Sequence, residues 1–203
     1  MPPRSIPLQS IKSISQRSLL RYWARSAGRR PFPPITQFTP ELRLHDSRQL
    51  VFWNIEESDT GRIFRALAHG QYLTEAFHER WDGKTLDEVA PPSVRSYAVE
   101  TANWCVDSGC PVYTILATVN GNGERVDCER MLLPFGQAGH VSQMLASLQL
   151  SSVEGRFSRS TALSEFRQHA ELVLAGTIDV AELRRVQPPG PAEVAQAQAS
   201  ESV

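Results

Sequence analysis

Residues 111–135 read PVYTILATVNGNGERVDCERMLLPF, and this stretch decides the fold class. Pro111–Val119 is rich in β-branched and apolar residues, which favour a strand. Asn120–Gly123 contains two Asn-Gly pairs, the strongest short-range signal for a hairpin turn. Arg125–Phe135 then alternates between two sets of side chains, as a strand does. One of its faces is predicted to carry Asp127, Glu129, Met131, Leu133 and Phe135, and the other Val126, Cys128, Arg130 and Leu132.

Three more strands are predicted around this hairpin. A turn at Gly136–His140 leads into Val141–Leu150, which alternates again. Leu50–Glu56 and Ile63–Ala68 are dense in strand-forming residues, and the Asp-Thr-Gly run at residues 59–61 predicts a second hairpin between them. Together these segments predict a sheet of five antiparallel strands.

Helical patterns lie between and outside the strands. Pro91–Ser108 gives the clearest one, because its apolar residues recur three and four positions apart. Gln71–His78 and Thr85–Val89 predict two shorter helices. Outside the sheet, helices are predicted at Ser15–Ala27, Thr161–Leu174 and Val180–Val186. The fold class is therefore α+β: a five-stranded antiparallel sheet with helices on one face, plus N-terminal and C-terminal helices. A concave sheet of this kind encloses a cavity beneath its helices.

The chain is divided by composition into five parts. Residues 1–14 are predicted to be a flexible N-terminus, and residues 15–45 a basic helix and a Pro-rich linker, with a short helix starting at Thr39-Pro40-Glu41. Residues 46–155 form the sheet domain, and residues 156–186 a C-terminal helical extension. Residues 187–203 are rich in Pro, Ala, Gln, Glu and Ser, and we expect them to be disordered.

Composition excludes several classes of protein. No run of about 18 apolar residues occurs, so a transmembrane helix is not expected. The three cysteines, Cys105, Cys110 and Cys128, fit no CxxC pattern, and the five histidines are scattered. A disulfide framework, a zinc site or any other metal site is therefore not predicted. Reduced, buried thiols are typical of a cytoplasmic protein, which is the expected location.

Charge is distributed unevenly along the chain. Residues 1–40 contain seven basic residues and no acidic one, whereas residues 41–203 contain 14 basic and 22 acidic residues. A basic arm on an acidic body has three interpretations. It contacts anionic lipid or nucleic acid, it is a targeting segment such as an organelle transit peptide, or it pairs with the acidic body. No apolar block near the start predicts a secretory signal.

Several short motifs resemble a known family. They are Leu20-Arg21-Tyr22-Trp23, Arg30-Pro31-Phe32-Pro33, Thr39-Pro40-Glu41, Phe64-Arg65-Ala66-Leu67, Gly83-Lys84-Thr85-Leu86 and Leu132-Leu133-Pro134-Phe135. In order and spacing they resemble a group of stand-alone bacterial PAS-domain proteins that begin with a basic helix, over roughly residues 19–151. Ala68 departs from the pattern, because the family usually has glycine there. The PAS fold has the predicted element order: two strands, short helices, one long helix and three antiparallel strands.

The resemblance implies a non-enzymatic sensor or adaptor. Such a protein binds a small molecule or a partner protein and signals through protein–protein contact, and the family is associated with regulation of growth or envelope processes. The flanking helices of PAS proteins imply a homodimer, with an unknown signalling protein as partner. Haem is disfavoured because residues 91–108 contain no His, and flavin because residues 71–90 contain no Cys. No cofactor is expected, although an unknown small ligand fits.

Five residues are candidates for a ligand pocket. Tyr97, Thr101 and Trp104 lie on one side of the long helix and would face the sheet, unless they are plain core. Arg65 and Arg130 lie within predicted strands, where an arginine needs a partner. We expect Arg65 to reach an acid such as Glu129 or an anionic ligand, unless it faces solvent. A cleft of this composition suits a small carboxylate or an aromatic anion.

The N-terminal helix is a candidate interaction element. Leu19, Leu20, Tyr22 and Trp23 form an apolar face that packs either on its own sheet or on a partner's. Arg17, Arg21 and Arg25 form a second stripe, which is either a solvated face or a contact for anionic lipid or an acidic partner. An anionic membrane surface contacted through residues 4–30 is therefore a possible partner, and nucleic acid is not expected.

Two other functions stay open. A cone-shaped enzyme or binding protein of the nuclear-transport-factor-like type also has a curved sheet over helices. It would need an acid–base pair in its cavity, for which only His69 with Asp82 or Asp87 qualifies. The other alternative is a scaffold that anchors at a membrane surface through its basic helix.

Overall fold

The fold is known from a computed structural model, which describes residues 4–38, 47–77, 79–119, 123–152, 166, 169–181 and 183. Within these residues one sheet has the strand order β1-β7-β4-β5-β6-β2-β3. All neighbouring strands are antiparallel except β1 and β7. The strands are β1 Ser5–Ile6, β2 Leu50–Ser58, β3 Gly61–His69, β4 Val112–Val119, β5 Arg125–Gln137, β6 His140–Ser152 and β7 Glu171–Ile178.

Four α-helices accompany the sheet. They are α1 Ile14–Ala27, α2 Gln71–Phe77, α3 Leu86–Val89 and α4 Arg95–Ser108. Short 3-10 turns lie at Leu8–Ser10, Ile35–Gln37 and Ser47–Gln49. No helix in the described ranges is both long and apolar enough to cross a bilayer.

The central prediction is confirmed: the protein is α+β, with a PAS-like arrangement from β2 to β6. Two strands come first, then α2, α3 and the long helix α4, then three antiparallel strands. β2 pairs with β6, the last of the three, so the β2–β3 hairpin extends the sheet beyond β6. Strand β5 lies in the centre of the sheet and is buried along nearly its whole length.

Within the described residues the sheet has seven strands instead of five, because β1 and β7 extend it, and β7 replaces part of a predicted helix. The helix predicted over Thr161–Leu174 is wrong for residues 171–174, which belong to β7. Leu163, Phe166, Ala170 and Leu174 follow helical spacing, but residues 172–174 are Leu-Val-Leu, which also suits a strand. Pairing with the exposed edge of β4 satisfies a row of backbone groups on both strands, and this tertiary gain decides the outcome.

The predicted flexibility of residues 1–14 is wrong for the described part of that segment. Ser5 and Ile6 pair in parallel with Thr177 and Ile178 of β7. Ile6 and Ile11 are buried. A segment that buries two isoleucines and pairs with a strand is fixed to the body of the protein.

Helices cover both faces of the sheet: α2, α3 and α4 cover one face, as predicted, and the predicted N-terminal helix, α1, covers the other. The inner face, covered by α2, α3 and α4, packs Trp53, Phe64, Leu132, Met144 and other apolar residues against α4. The outer face, covered by α1 and the Pro-rich segment after it, packs Met131, Leu133 and Phe135 against α1. Alternate residues of β5 therefore belong to two different cores.

Several predictions fall outside the described residues. These are the helix start at Thr39-Pro40-Glu41, most of the Asn120–Gly123 turn, most of the predicted Thr161–Leu174 helix and the tail at residues 187–203. In the predicted helix Val180–Val186 the described residues, Val180, Ala181 and Leu183, are helical.

Candidate functional site

A small cavity lies between the inner face of the sheet and helices α3 and α4. Its volume is about 90 Å³. Two tryptophans, Trp53 and Trp81, form part of its wall, and nearly all other lining side chains are apolar. The remaining lining residues are Leu86, Val89, Ala90, Pro91, Val94, Ala98, Leu116, Cys128, Arg130, Ala146, Leu148 and Phe166.

Local sequence explains how the helices form this wall. Thr85 caps α3 by accepting a hydrogen bond from the Glu88 backbone N–H, and the Glu88 side chain accepts one from the Thr85 backbone in return. This capping box fixes the first turn of α3, which contributes Leu86 and Val89. In α4 the buried face consists of small residues, among them Ala98 and Ala102, so that helix lies close to the sheet.

In the part of the chain that the structure describes, Arg130 is the one cationic residue that lines the cavity. It lies on β5 between Thr114 of β4 and Leu148 of β6, and only 8% of its surface is exposed. Nη1 donates to Thr101 Oγ1 at 3.1 Å, and Nη2 donates to the Ala98 carbonyl at 3.1 Å. Both acceptors belong to α4 and both are neutral. The guanidinium therefore joins the central strand to the long helix without an opposing charge.

No carboxylate in the described part of the chain forms an ion pair with Arg130. Burial lowers the pKa of Arg130 to about 10. The side chain therefore still carries its charge at neutral pH. Burial also raises the pKa of Cys128 to about 12, so this neighbouring thiol is neutral and cannot act as the counter-ion. The cavity wall thus holds an uncompensated positive charge.

The structure brings together two of the five predicted pocket residues. Thr101 is buried and bonded to Arg130, which lines the cavity. Tyr97 does not line it and is 40% exposed, because its side chain leaves the buried face of α4. Trp104 packs, half-buried, against the inner core but is not part of the cavity wall.

Arg65 lies away from this cavity, and the expected contact with Glu129 is wrong. Its Nε and Nη2 donate to the Glu56 carboxylate at 2.9 and 3.1 Å, and Nη1 donates to the Gly83 carbonyl at 2.9 Å. Glu56 lies diagonally across the β2–β3 hairpin, whereas Glu129 faces α1 on the far side of the sheet. Cross-strand proximity therefore supplies the partner.

The sequence pattern missed most of the apolar wall. Trp53 could have been found, because it alternates with Val51 and Ile55 on β2, but that alternation does not say which face is concave. Trp81 lies in the loop before α3, and Phe166 lies far along the chain. Loop residues show no periodicity, so no sequence signal placed them at the cavity.

Polar groups on the outer face of β5 are paired within the protein. Glu129 accepts hydrogen bonds from the Tyr113 hydroxyl and, at 3.0 Å, from the Ser13 backbone N–H. Asp127 accepts from Lys12 Nζ at 2.7 Å and from Arg125 Nε at 2.8 Å. These contacts attach the start of α1 to β5, and the negative charge of Glu129 lies near the helix N-terminus, where it is favourable.

The apolar face of α1 packs on the protein's own sheet. Leu19, Leu20 and Trp23 are buried, and Trp23 Nε1 donates to the Pro134 carbonyl at 2.8 Å. Tyr22 contacts Phe38 edge to face, with ring centroids 5.0 Å apart. Of the two alternatives for this face, the structure shows the intramolecular one.

The His69–Asp82 pair that the enzyme alternative would require does not line the cavity. His69 Nδ1 lies 3.5 Å from Asp82 Oδ1, and Nε2 lies 2.7 Å from Thr74 Oγ1. The imidazole stacks on Trp81 and is almost fully buried. Nε2 is hydrogen-bonded, whereas Nδ1 is buried and makes no hydrogen bond among the described residues.

The described residues contain no cluster of His, Cys, Asp or Glu suited to a metal ion. The chain matches no protein-family model. It matches no curated protein sequence either.

Three solved structures of VqmA share a partial likeness with the chain at 16% sequence identity. The first is a Vibrio cholerae VqmA–ligand–DNA complex, with TM-score 0.33 over 49% of this chain and 45% of that chain. The second is VqmA bound to DPO, with TM-score 0.34 over 50% and 52%. The third is the Vibrio cholerae VqmA dimer without target DNA, described as a LuxR-type receptor, with TM-score 0.35 over 56% and 52%. The chain therefore spans about half the length of each of these proteins.

Proposed function

We propose that this protein is a non-enzymatic sensor whose small-molecule ligand occupies the cavity between α4 and the sheet. The observation that carries the proposal is an apolar cavity whose wall includes Arg130, a buried cation without an acidic partner among the described residues. Burying an unpaired charge is costly, and such a cost persists in proteins mainly where a site uses it.

The composition of the wall favours binding over catalysis. Among the described residues, Arg130 and Cys128 are the only titratable ones that line the cavity, and neither has a pKa near neutrality. General acid–base catalysis works best with a group whose pKa lies near the working pH. The nuclear-transport-factor-like alternative needs such a group, and the His69–Asp82 pair is not in the wall.

The proposed response passes from the ligand to a partner protein through the outer face. Arg130 and Glu129 are consecutive on β5, so a shift of the strand on ligand binding moves both the cavity wall and the anchor of α1. Release or tightening of α1 would change the surface that a second copy of the chain or a signalling protein contacts.

Native mass spectrometry tests the sensor proposal directly. The folded protein should carry a small molecule that is absent after denaturation, or should gain mass when it is incubated with compounds whose apolar part is smaller than benzene. Leu148→Trp, at the cavity wall, should abolish this adduct. Leu67→Trp, at an exposed position that does not line the cavity, is the matched control. An adduct that survives Leu148→Trp contradicts the proposal.

A second candidate function is contact with an anionic membrane surface through α1. Arg17, Arg21 and Arg25 are exposed on one stripe, and Ile14, at its start, is 78% exposed. Residues 4–38 contain no acidic side chain. Each such arginine contributes about 1 kcal/mol of attraction to anionic lipid.

Vesicle sedimentation separates this candidate from a merely solvated face. Binding to vesicles of anionic lipid should exceed binding to neutral ones, should fall with salt, and should be lost in the Arg17→Ser, Arg21→Ser, Arg25→Ser variant. If the same amount of protein sediments with neutral and with anionic vesicles, the proposed membrane contact is contradicted. Preference for duplex DNA over vesicles would assign the stripe to nucleic acid instead.

A further inference from the structure

The charge of Arg130 indicates the class of ligand that the cavity takes. In the described part of the chain its two hydrogen bonds go to neutral acceptors on α4, and its remaining N–H groups have no protein acceptor. A guanidinium is planar and offers parallel N–H donors that match a carboxylate. The geometry therefore has an unused position for an anion beside the apolar wall.

The nearest acids along the chain are committed elsewhere. Glu129 and Asp127 lie on the same strand as Arg130 but face α1, since alternate strand residues point to opposite faces. Glu129 is bonded to Tyr113 and Ser13, and Asp127 to Lys12 and Arg125. Neither carboxylate can reach the cavity without breaking the attachment of α1.

The size and lining of the cavity limit the rest of the ligand. A dry cavity of about 150 Å³ accommodates benzene, so the 90 Å³ here suits a shorter body, such as a chain of a few methylene groups. Trp53, Trp81 and Leu148 provide apolar contact for that body. Arg130 is the only cation among the described wall residues, and it can pair one carboxylate.

We propose that the ligand is a small monocarboxylate, with its carboxylate paired to Arg130 and its apolar body against Trp53, Trp81 and Leu148. This inference rests on the proposed sensor function and names the class of its ligand. A neutral compound of the same shape would leave the guanidinium unpaired and would bind more weakly.

Matched acids and amides test the inference on the unaltered protein. Acetate, butyrate and hexanoate are titrated calorimetrically beside acetamide, butyramide and hexanamide. We expect butyrate to bind about 10- to 100-fold more tightly than butyramide, the range of a hydrogen bond to a charged group. Equal affinity for acid and amide overturns the inference while leaving the sensor function standing. Binding of neither series also overturns it, and the sensor function is then decided by native mass spectrometry alone.

Substitution of Arg130 tests whether this residue binds the carboxylate of the ligand. Arg130→Met should reduce butyrate affinity by the same factor and leave butyramide unchanged, whereas Arg80→Met, which removes an exposed arginine, should change neither. Full butyrate affinity in Arg130→Met overturns the assignment. If that variant does not fold, the acid–amide comparison on the unaltered protein remains decisive.

Discussion

The buried charged side chains on the two faces of β5 differ in the partners that the protein provides for their charge. On the outer face Glu129 and Asp127 are buried, and each has two donors, supplied by the residues just before α1, by Tyr113 of β4 and by Arg125 of β5. On the inner face Arg130 is buried equally well, but it has two neutral acceptors and no acid among the described residues. Both arrangements lie within four residues of one strand.

This difference separates a structural role from a binding role. Polar groups that a protein satisfies internally hold its parts together, and their loss leaves orphaned partners. A buried charge without a counter-ion carries a desolvation cost that its hydrogen bonds to neutral acceptors offset only in part, and an anionic ligand would offset the rest. Outer-face changes should therefore destabilise the fold, whereas the inner-face change at Arg130 should not.

The largest loss of stability is expected on substitution of Trp23. Trp23→Ala removes a fully buried ring and its bond to Pro134, and we expect the free energy of unfolding to fall by about 4 kcal/mol. Urea denaturation measures the loss, with Arg25→Ala as an exposed control on the same helix. A loss under about 1 kcal/mol would show that α1 does not pack on its own sheet in solution.

Substitution of Glu129 is expected to cause the second-largest loss of stability. Glu129→Ala leaves the Tyr113 hydroxyl and the Ser13 N–H buried without their acceptor, at a cost of about 3 kcal/mol. The double variant with Tyr113→Phe should recover part of that loss, because one orphaned donor is then removed. Strictly additive losses in urea denaturation would argue against a shared network.

Substitution of Arg130 should not lower the free energy of unfolding, in contrast to the substitutions of Trp23 and Glu129. In the ligand-free protein, Arg130→Met should leave stability unchanged or raise it by about 1 kcal/mol. No acceptor is orphaned by this change, since Thr101 Oγ1 still donates to the Tyr97 carbonyl and Ala98 lies within α4. Thermal unfolding without added carboxylate is the measurement. A loss above 2 kcal/mol would make Arg130 a structural residue like Glu129.

The smallest effect is expected at Asp127, and it depends on pH. Burial of Asp127 favours its neutral form, but hydrogen bonds from Lys12 and Arg125 outweigh this and hold its pKa below the ordinary value of 3.8. A depressed pKa adds stability above pH 3.8 that is lost as the pH falls through the folded value.

Asp127→Asn should therefore cost about 1 kcal/mol at pH 7, a modest amount because Lys12 is half exposed. The difference from the unaltered protein should begin to shrink below pH 3.8, where the unfolded carboxyl takes up a proton, and should disappear once the folded carboxyl is protonated as well. Urea denaturation at pH 7 and pH 3 checks this. A gap that is unchanged at pH 3 contradicts the ion-pair explanation.

Much of the fold could be predicted because it depends on local pattern. Alternation in β5 and β6, the Asn-Gly turn signal and the helical period of α4 depend on neighbours in sequence. Thr101 and Arg130 were found as site candidates for the same reason, since each stands on the face that its element's period assigns to the interior. Arg65 was misplaced because periodicity does not say which acid lies across a hairpin.

By itself the sequence determined which segments are strands and helices from β2 to β6, and which residues of β5 share a face. Only the tertiary structure decided that residues 171–178 pair with β4, that α1 covers the outer face, and that Arg130 is buried without an acid while Glu129 has several donors. The physical reason is that backbone pairing at a sheet edge and the balance of buried charges depend on residues far apart along the chain, such as Val112 and Thr177 or Ser13 and Glu129. Local propensity carries no information about such contacts.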